Sequence, residues 1–196
     1  SAFIGPGAAN YAKNIISEHL YVGSYLSLAA LTFIPTIFFL FYENNSKFEV
    51  KTNYSGRGYL ELVSQPRFLQ AIVAAAFGYA IMTFLMTATP LSMHVMENMS
   101  LSKTGIVIQL HVAAMFLPSL ITGHLVKKYG HSNIMYAGVF LYSITIIASF
   151  FDQTFLNYLF ALIFLGFGWN FLFISGTSLL ALTYNEEEKF KAQGLN

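Results

Sequence analysis

Long stretches without a charged side chain are the feature that most restricts how this chain folds. A bilayer core about 30 Å thick takes roughly 20 apolar residues in a helix. Strands are far shorter than these stretches and would alternate polar with apolar residues, whereas helices satisfy their own backbone hydrogen bonds, as hydrocarbon requires. The sequence therefore predicts an all-α, polytopic membrane helical bundle, with five full spans in the uncharged residues 19–42, 68–93, 105–126, 134–151 and 156–184 and a truncated span in residues 1–16.

The composition agrees with a membrane protein and excludes several other classes. Hydrophobic residues make up 56% of the chain and charged residues 10%, where a soluble domain carries about 25% charged residues. The net charge of +1 offers no basic surface for nucleic acid. The absence of cysteine excludes disulfides, thiolate metal sites and cysteine nucleophiles. Because the chain begins at Ser1 without the pattern of a signal peptide, we expect it to be a fragment of a longer protein.

Motifs for catalysis or metal binding are not present in the sequence. No HExxH, GxSxG or paired carboxylates occur, and His111 and His124 are too far apart along a helix to share one ion. We therefore expect neither an enzyme nor a protein with a cofactor or a metal. No Asp or Glu lies within a full span, so these residues offer no buried carboxylate to carry protons.

Lysine and arginine are distributed unevenly between the loops, which predicts the orientation in the membrane. Positive residues concentrate in cytoplasmic loops near the ends of spans. Of the ten Lys and Arg residues, all but Lys13 and Lys103 fall in alternate segments, as five sequential crossings require. The segments 43–67, 127–133 and 185–196 are therefore predicted to be cytoplasmic.

Polar side chains inside the predicted spans fall on single helical faces. At about 100° per residue, Tyr79, Thr83 and Thr87 form one stripe, and His111 and Ser119 belong to a second. A third stripe, in the last full span, consists of Gly166, Asn170, Phe173 and Thr177. The span 134–151 has no Asn, Gln, His or charge, so we expect it to be peripheral.

Two interpretations of these stripes stay open. Polar residues in a span usually face protein or a water-filled cavity. Ser, Thr and Gly also serve close packing between helices, and Gln109, His111 or Asn170 could hydrogen-bond from one helix to another. Gln109 lies about 200° from His111, so both cannot point into one cavity.

Several motifs resemble those of the major facilitator superfamily of secondary transporters. Gly5-Pro6 resembles the signature that closes the fifth helix, and the polar segment 43–67 resembles the central loop between the two halves. GHLVKKYGH, residues 123–131, resembles the loop motif between helices eight and nine, with Lys127 in the place of the usual acid. The stretch 166–194 is similar to the tenth helix and the loop after it in a bacterial subgroup.

The resemblance implies a domain organisation. Residues 1–42 would end the N-terminal half with the end of helix five and helix six, residues 43–67 would be the central cytoplasmic loop, and residues 68–196 would hold helices seven to ten and the approach to helix eleven. In this family helices seven and ten line the central cavity and helix eight flanks it.

Together with the stripes, the resemblance implies two groups of functional residues. The first group would line the substrate cavity, where the indole ring could stack on a solute, and consists of Tyr79, Thr83, Thr87, His111, Trp169 and Asn170. The second group would take part in gating, by helix bending or cytoplasmic ion pairs, and consists of Gly5, Pro6, Gly123, Lys128, Gly130, Glu188 and Lys189.

The sequence and the resemblance lead to one hypothesis and two alternatives. The hypothesis is a fragment of a bacterial inner-membrane transporter that moves a small solute by alternating access, with proton-coupled efflux favoured and metabolite uptake as a rival. The expected partners are the small-molecule substrate, membrane lipid, coupling protons and the missing helices of the same chain. The alternative of another class is a sensor or scaffold that transports nothing, in which the polar stripes only join helices.

Overall fold

The computed structural model describes residues 4–13, 15–16, 21–42 and 56–195. Within these ranges the chain folds into helices and contains no strand. The prediction of an all-α fold is therefore confirmed. The chain divides into two compact units, Ser1–Thr52 and Asn53–Asn196, and the division lies inside the predicted loop 43–67.

The first unit is a pair of helices. Helix α1 spans Ile4–Ala12 and helix α2 spans Val22–Leu40. They pack at Gly23, because any larger side chain there would meet the carbonyl of Ala12. Helix α2 is apolar all round and leaves most of its side chains exposed within this unit, which is typical of a membrane span.

The second unit is a bundle of seven helices among the described residues. In chain order the helices are α3 (Tyr59–Val63), α4 (Pro66–Leu91, continued by a π-helical turn at Ser92–Met96), α5 (Leu101–Phe116), α6 (Ser119–Tyr129), α7 (His131–Ala148), α8 (Phe155–Leu180) and, after a short 3₁₀ turn at Glu186–Glu188, α9 (Lys189–Gly194).

Helix α8 is the centre of the second unit, with α4, α5, α6 and α7 packed around it. Three glycines of α8 make this possible, since each lets a different helix approach closely. A Cβ at Gly166 would collide with Ala114 of α5, one at Gly168 with Tyr142 of α7, and one at Gly176 with the carbonyl of Ala71 in α4. Small residues thus allow one helix to contact three neighbours at once.

Four helices of the described chain are long and apolar enough to cross a membrane: α2, α4 with its π-helical end, α7 and α8. Helices α5 and α6 make a fifth candidate if they are counted as one bent span. The predicted span over residues 105–126 corresponds to this pair, but the expectation that it is one unbroken helix is wrong. Its two parts meet at Leu117–Pro118 with a bend of 41°.

The physical reason for the bend is Pro118. Proline has no N–H to donate to the carbonyl four residues earlier, and its ring crowds that carbonyl, so proline inside a helix kinks it. The helical ladder has a bond from Leu117 N–H to the Ala113 carbonyl, and it resumes with Thr122 N–H donating to the Pro118 carbonyl. The break thus lies between these two bonds.

Candidate substrate-facing surface

Three residues of the predicted cavity lie together on an exposed face of α4. Tyr79 is 53% exposed, and Thr83 and Thr87 follow it at one-turn intervals and are also exposed. The Thr87 hydroxyl donates to the Thr83 carbonyl at 2.8 Å, which satisfies it inside its own helix. This face therefore presents one phenol ring and two hydroxyl groups to whatever covers it.

Four aromatic rings form a continuous line from α5 across α8 to α4, here called the aromatic row. Trp169 and Phe173 stack with their centroids 4.7 Å apart and their planes 11° apart. Phe116 meets Trp169 edge-on at 5.8 Å, and Tyr79 lies 6.5 Å from Phe173. The two ends of the row, Phe116 and Tyr79, are about half exposed, whereas Trp169 is buried.

The position of Trp169 differs from that of a ring open to a solute. It is only 5% exposed, and Phe173 covers one of its faces. Its indole Nε1 is buried and has no hydrogen-bond partner within the described chain. Trp169 thus supports Phe173 and Phe116 from behind, and the exposed rings of the row are those at its ends.

Asn170 is fully buried between α8 and the bent α5–α6 span. Its Nδ2 donates to the Met115 carbonyl and to the Ser119 hydroxyl, both at 2.7 Å. Its Oδ1 accepts from the Thr122 hydroxyl at 2.6 Å. The structure therefore gives Asn170 the interhelical hydrogen bonds that the sequence left open as one of two interpretations.

His111 is also fully buried, at the contact between α5 and α8. Its Nδ1 lies 2.7 Å from the Leu162 carbonyl, which can only accept, so Nδ1 carries the proton in this arrangement. Its Nε2 has no hydrogen-bond partner in the part of the chain that the structure describes. Leu162 and Asn170 are eight residues apart on α8, or about 12 Å, so the structure does not bring His111 and Asn170 together.

The structure thus separates the six predicted cavity residues into an exposed group on α4 and a buried group on α5 and α8. Their role at a substrate stays a prediction, and it is most direct for Tyr79, Thr83 and Thr87. Two further rings of the row, Phe116 and Phe173, were not predicted as single site residues, although Phe173 lies on the same helical stripe as Asn170.

Two cavities lie elsewhere in the second unit. One of about 420 Å³ lies between α4, α7 and α8 and is bordered by polar groups that include Asn157 of α8 and the loop residues Glu97 and Gln153. The other, of about 440 Å³, is an apolar groove between α4 and α7. None of the six predicted cavity residues lines either of them. Within the described chain no three His, Asp or Glu side chains are close enough to hold a metal ion.

An ion pair fastens the segment before α3 to the turn after α8. The guanidinium of Arg57 donates from Nε and Nη2 to the two carboxylate oxygens of Glu188, at 2.7 and 2.6 Å. The backbone N–H groups of Arg57 and Asn185 donate to the same carboxylate, and Nη2 also donates to the Thr183 carbonyl. Sequence reasoning predicted an ion pair for Glu188 but did not identify Arg57, because the partners are 131 positions apart.

The hydrogen bonds at Glu188 control its ionisation. The bonds from the Arg57 side chain, and then the one from the Asn185 N–H, lower the pKa of Glu188 to about 2. The same contact raises the pKa of Arg57. Lys189, the other residue predicted to form ion pairs here, lies 3.8 Å from Glu186, and this second pair is well exposed to solvent.

The remaining predicted gating residues lie on α1, on α6 and at the turn between α6 and α7. Gly130 separates α6 from α7 with a φ of 84°, a conformation that side chains rarely adopt, so its identity follows from this turn. Gly123 lies on α6 with open space beside it, and the Lys128 ammonium lies 5.0 Å from the Tyr129 ring centroid. Gly5 has open space beside it on α1, and the side chain of Pro6 lies outside the described residues.

The geometry described so far is that of a membrane helical bundle with a polar and aromatic face, and comparison with known proteins gives its family. The model of the Major Facilitator Superfamily matches residues 1–196. The chain belongs to this family and is part of a multi-pass membrane protein. No solved structure matches the chain significantly.

Three relatives are similar to parts or all of the chain. The riboflavin transporter RfnT of Brucella anthropi is 35% identical over 198 residues, covering 100% of this chain and 50% of the relative. Two uncharacterised MFS-type transporters of Bacillus subtilis, YddS and YdeG, are 41% and 37% identical over 58% of this chain and about a quarter of their own length. The chain therefore spans half the length, or less, of these relatives.

Proposed function

We propose that the chain is part of a transporter that carries a small solute across the bacterial inner membrane by alternating access. The observation that carries this proposal is the exposed face of α4, where Thr83 and Thr87 follow Tyr79, which is itself an exposed end of the aromatic row. A face that combines rings with hydroxyl groups differs from the purely apolar surface that lipid favours. It suits a solute with a flat ring system and polar edges.

Riboflavin is the first solute to test. The similarity of the whole chain to a riboflavin transporter suggests it, and flat conjugated rings stack favourably on aromatic side chains. The test is transport of radiolabelled riboflavin by the full-length protein in proteoliposomes. Transport by the unmodified protein supports the activity. Loss of transport in Tyr79→Ala, with transport kept in Tyr136→Ala on the exposed side of α7, supports the face of α4 as the surface that contacts the solute. No solute-dependent flux above protein-free liposomes contradicts riboflavin as the substrate.

Direction and coupling belong to the same proposal. The resemblance of Gly5-Pro6 to a helix-five signature favours proton-coupled efflux, with uptake by the same fold as the alternative. Because no Asp or Glu lies within the predicted full spans, a coupling carboxylate would have to come from elsewhere in the full-length protein. Flux measured with an imposed pH gradient of each sign distinguishes efflux, uptake and uncoupled transport.

A scaffold or sensor is the competing function, and solvent access separates it from a transporter. In the full-length protein without other cysteines, Thr83→Cys on α4 and Phe140→Cys on α7 both replace exposed residues of the described bundle. A transporter cavity lets a membrane-impermeant thiol reagent label the first but not the second, which faces lipid. Protection of both positions supports a packed scaffold.

We further propose that residues 43–67, 127–133 and 185–196 are cytoplasmic, as the distribution of Lys and Arg predicts. The Arg57–Glu188 pair then lies at the cytoplasmic end of the second unit. Substituted cysteines at Lys128 and Lys103 test the orientation. Labelling from outside intact cells at position 103 but not at position 128 agrees with the proposal, and the reverse pattern contradicts it.

A further inference from the structure

The bent span α5–α6 has backbone groups that its own helix does not satisfy. Pro118 supplies no N–H to the Ala114 carbonyl, and the Met115 carbonyl one residue further on accepts from the side chain of Asn170. In a membrane there is no water in the hydrocarbon core to satisfy such groups, so a neighbouring helix must supply the partner. For the Met115 carbonyl, Asn170 of α8 is that partner.

Asn170 contacts both sides of the break at the same time. On the α5 side it donates to the Met115 carbonyl, and on the α6 side it donates to the Ser119 hydroxyl and accepts from Thr122. All three donor–acceptor distances are 2.7 Å or shorter. The single hydroxyl hydrogen of Thr122 has a second acceptor at 2.8 Å, the Pro118 carbonyl at the break itself. One amide therefore joins the two arms of the bend.

The bend is also adjacent to the aromatic row. Met115 precedes Phe116, the last residue of α5, and Asn170 follows Trp169 on α8. Phe116 meets Trp169 edge-on at 5.8 Å. The direction in which α5 ends, and with it the position of Phe116, therefore depends on how the bend is held.

We propose that Asn170 is a positioning residue that locks the bend of the α5–α6 span and so places Phe116 on the aromatic row, rather than a residue that touches solute. The lock consists of the Asn170 amide, the Met115 carbonyl and the hydroxyls of Ser119 and Thr122. It goes beyond the proposed transport, and it is tested without solute, so that failure of the transport proposal leaves it standing.

The first measurement is the distance between spin labels at positions 103 and 128, two exposed lysines on opposite arms of the bend. With helical arms of about 21 and 15 Å, loss of a bend of 41° lengthens this distance by about 2 Å. In the full-length protein without solute, we expect Asn170→Ala to lengthen or broaden the distance distribution. Thr145→Val is the matched control, since it removes a buried hydroxyl that bonds to the Ala161 carbonyl of α8, away from the break.

The second measurement is a double-mutant cycle between Pro118 and Asn170. Pro118→Ala provides the missing N–H, so that the backbone hydrogen bonds of the helix can continue across the break. The Met115 carbonyl then depends less on Asn170 for a partner. We expect Asn170→Ala to lower the melting temperature by about 2–10 °C with Pro118 and by less than half as much with Pro118→Ala. Ser119→Ala and Thr122→Val each remove one contact and should give smaller losses, which keeps the test usable if Asn170→Ala fails to fold.

The outcomes separate the lock from its rivals. A changed label distance together with dependence on residue 118 supports the lock. An unchanged distance with equal losses of stability in both backgrounds overturns it and leaves Asn170 as ordinary packing. An unchanged distance together with unchanged stability also overturns it, and leaves direct contact with solute as the role of Asn170.

Discussion

Arg57 and Glu188 are 131 positions apart in the chain, yet two side-chain hydrogen bonds of 2.6 and 2.7 Å join them. Glu188 is almost fully buried in this contact, while about a third of the Arg57 side chain stays exposed. The carboxylate also accepts backbone N–H groups from both segments. The pair therefore ties the segment before α3 to the turn between α8 and α9.

The ionisation of Glu188 predicts a loss of stability in acid. Its pKa is lowered from 4.5 to about 2 by the Arg57 side chain and the Asn185 N–H. A group with a lowered pKa in the folded state contributes stability that is fully present above its unfolded pKa and is lost as the pH falls to its folded pKa. We expect the contribution of Glu188 to disappear between about pH 4.5 and about pH 2. Thermal unfolding of the full-length protein across this range, compared with Glu188→Gln, measures it; identical pH profiles would contradict the prediction.

A larger side chain at position 56 should disrupt the contact between Arg57 and Glu188 without changing a charge. A Cβ on Gly56 would lie 2.7 Å from Cγ of Glu188, whereas a Cβ on Gly58 meets nothing within 4 Å. We expect Gly56→Ala to displace the carboxylate and lower the melting temperature, and Gly58→Ala to leave it nearly unchanged. Protease sensitivity of the segment before α3 gives a second reading. Equal melting temperatures and equal protease sensitivities of the two variants would contradict the prediction, because they would show that the Glu188 side chain moves aside without loss of stability.

Close packing between α4 and α8 depends on Gly176. A Cβ there would lie 2.9 Å from the backbone carbonyl of Ala71 and 3.3 Å from Cβ of Ala75, and a backbone carbonyl cannot move without moving its helix. Overpacking of this kind costs about 1–3 kcal/mol, so we expect Gly176→Ala to destabilise the protein by that amount. Gly123→Ala, in a helix with open space, is the control and should be neutral or slightly stabilising. Chemical unfolding in detergent compares the two.

The aromatic row predicts an effect on solute affinity. Trp169 stacks on Phe173 at 4.7 Å, and such ring pairs are worth about 0.5–1.5 kcal/mol. If this stacking orients Phe173 towards the solute, Trp169→Leu should raise the KM for whichever solute the transport assay identifies about 2–10-fold, with a smaller change in the maximal rate. Phe140→Leu on the exposed face of α7 is the control. A fall in maximal rate at constant KM would assign Trp169 to the conformational change instead.

Much of the fold could be predicted because hydrocarbon imposes simple rules on a sequence. Uncharged stretches of the right length had to be helices, and four of them are long and apolar enough to cross a membrane in the structure. The break in the span 105–126 was not predicted, although Pro118 was a visible signal for it. The phase of the stripe through His111, Ser119 and Thr122 still placed these residues on the side that faces α8.

The candidate site shows where sequence patterns stop being informative. A polar residue on a helical face is compatible with a cavity and with a neighbouring helix, and phase alone cannot distinguish them. The structure places Thr83 on an exposed face and Asn170 in a fully buried one, although each belongs to a polar stripe. The partner of Asn170 is the Met115 carbonyl, which lies at a proline break elsewhere in the chain, and such a partner has no signature at position 170.

The sequence by itself determined that this chain is helical, that it lies in a membrane and where its spans fall, because those properties depend on local hydrophobicity and on backbone groups within one segment. Only the tertiary structure decided which polar residues face outward and which fasten helices together. The pairs Arg57 with Glu188 and Met115 with Asn170 join distant segments. Such pairs form because packing brings the segments together, and a local sequence pattern does not predict which distant residues come into contact.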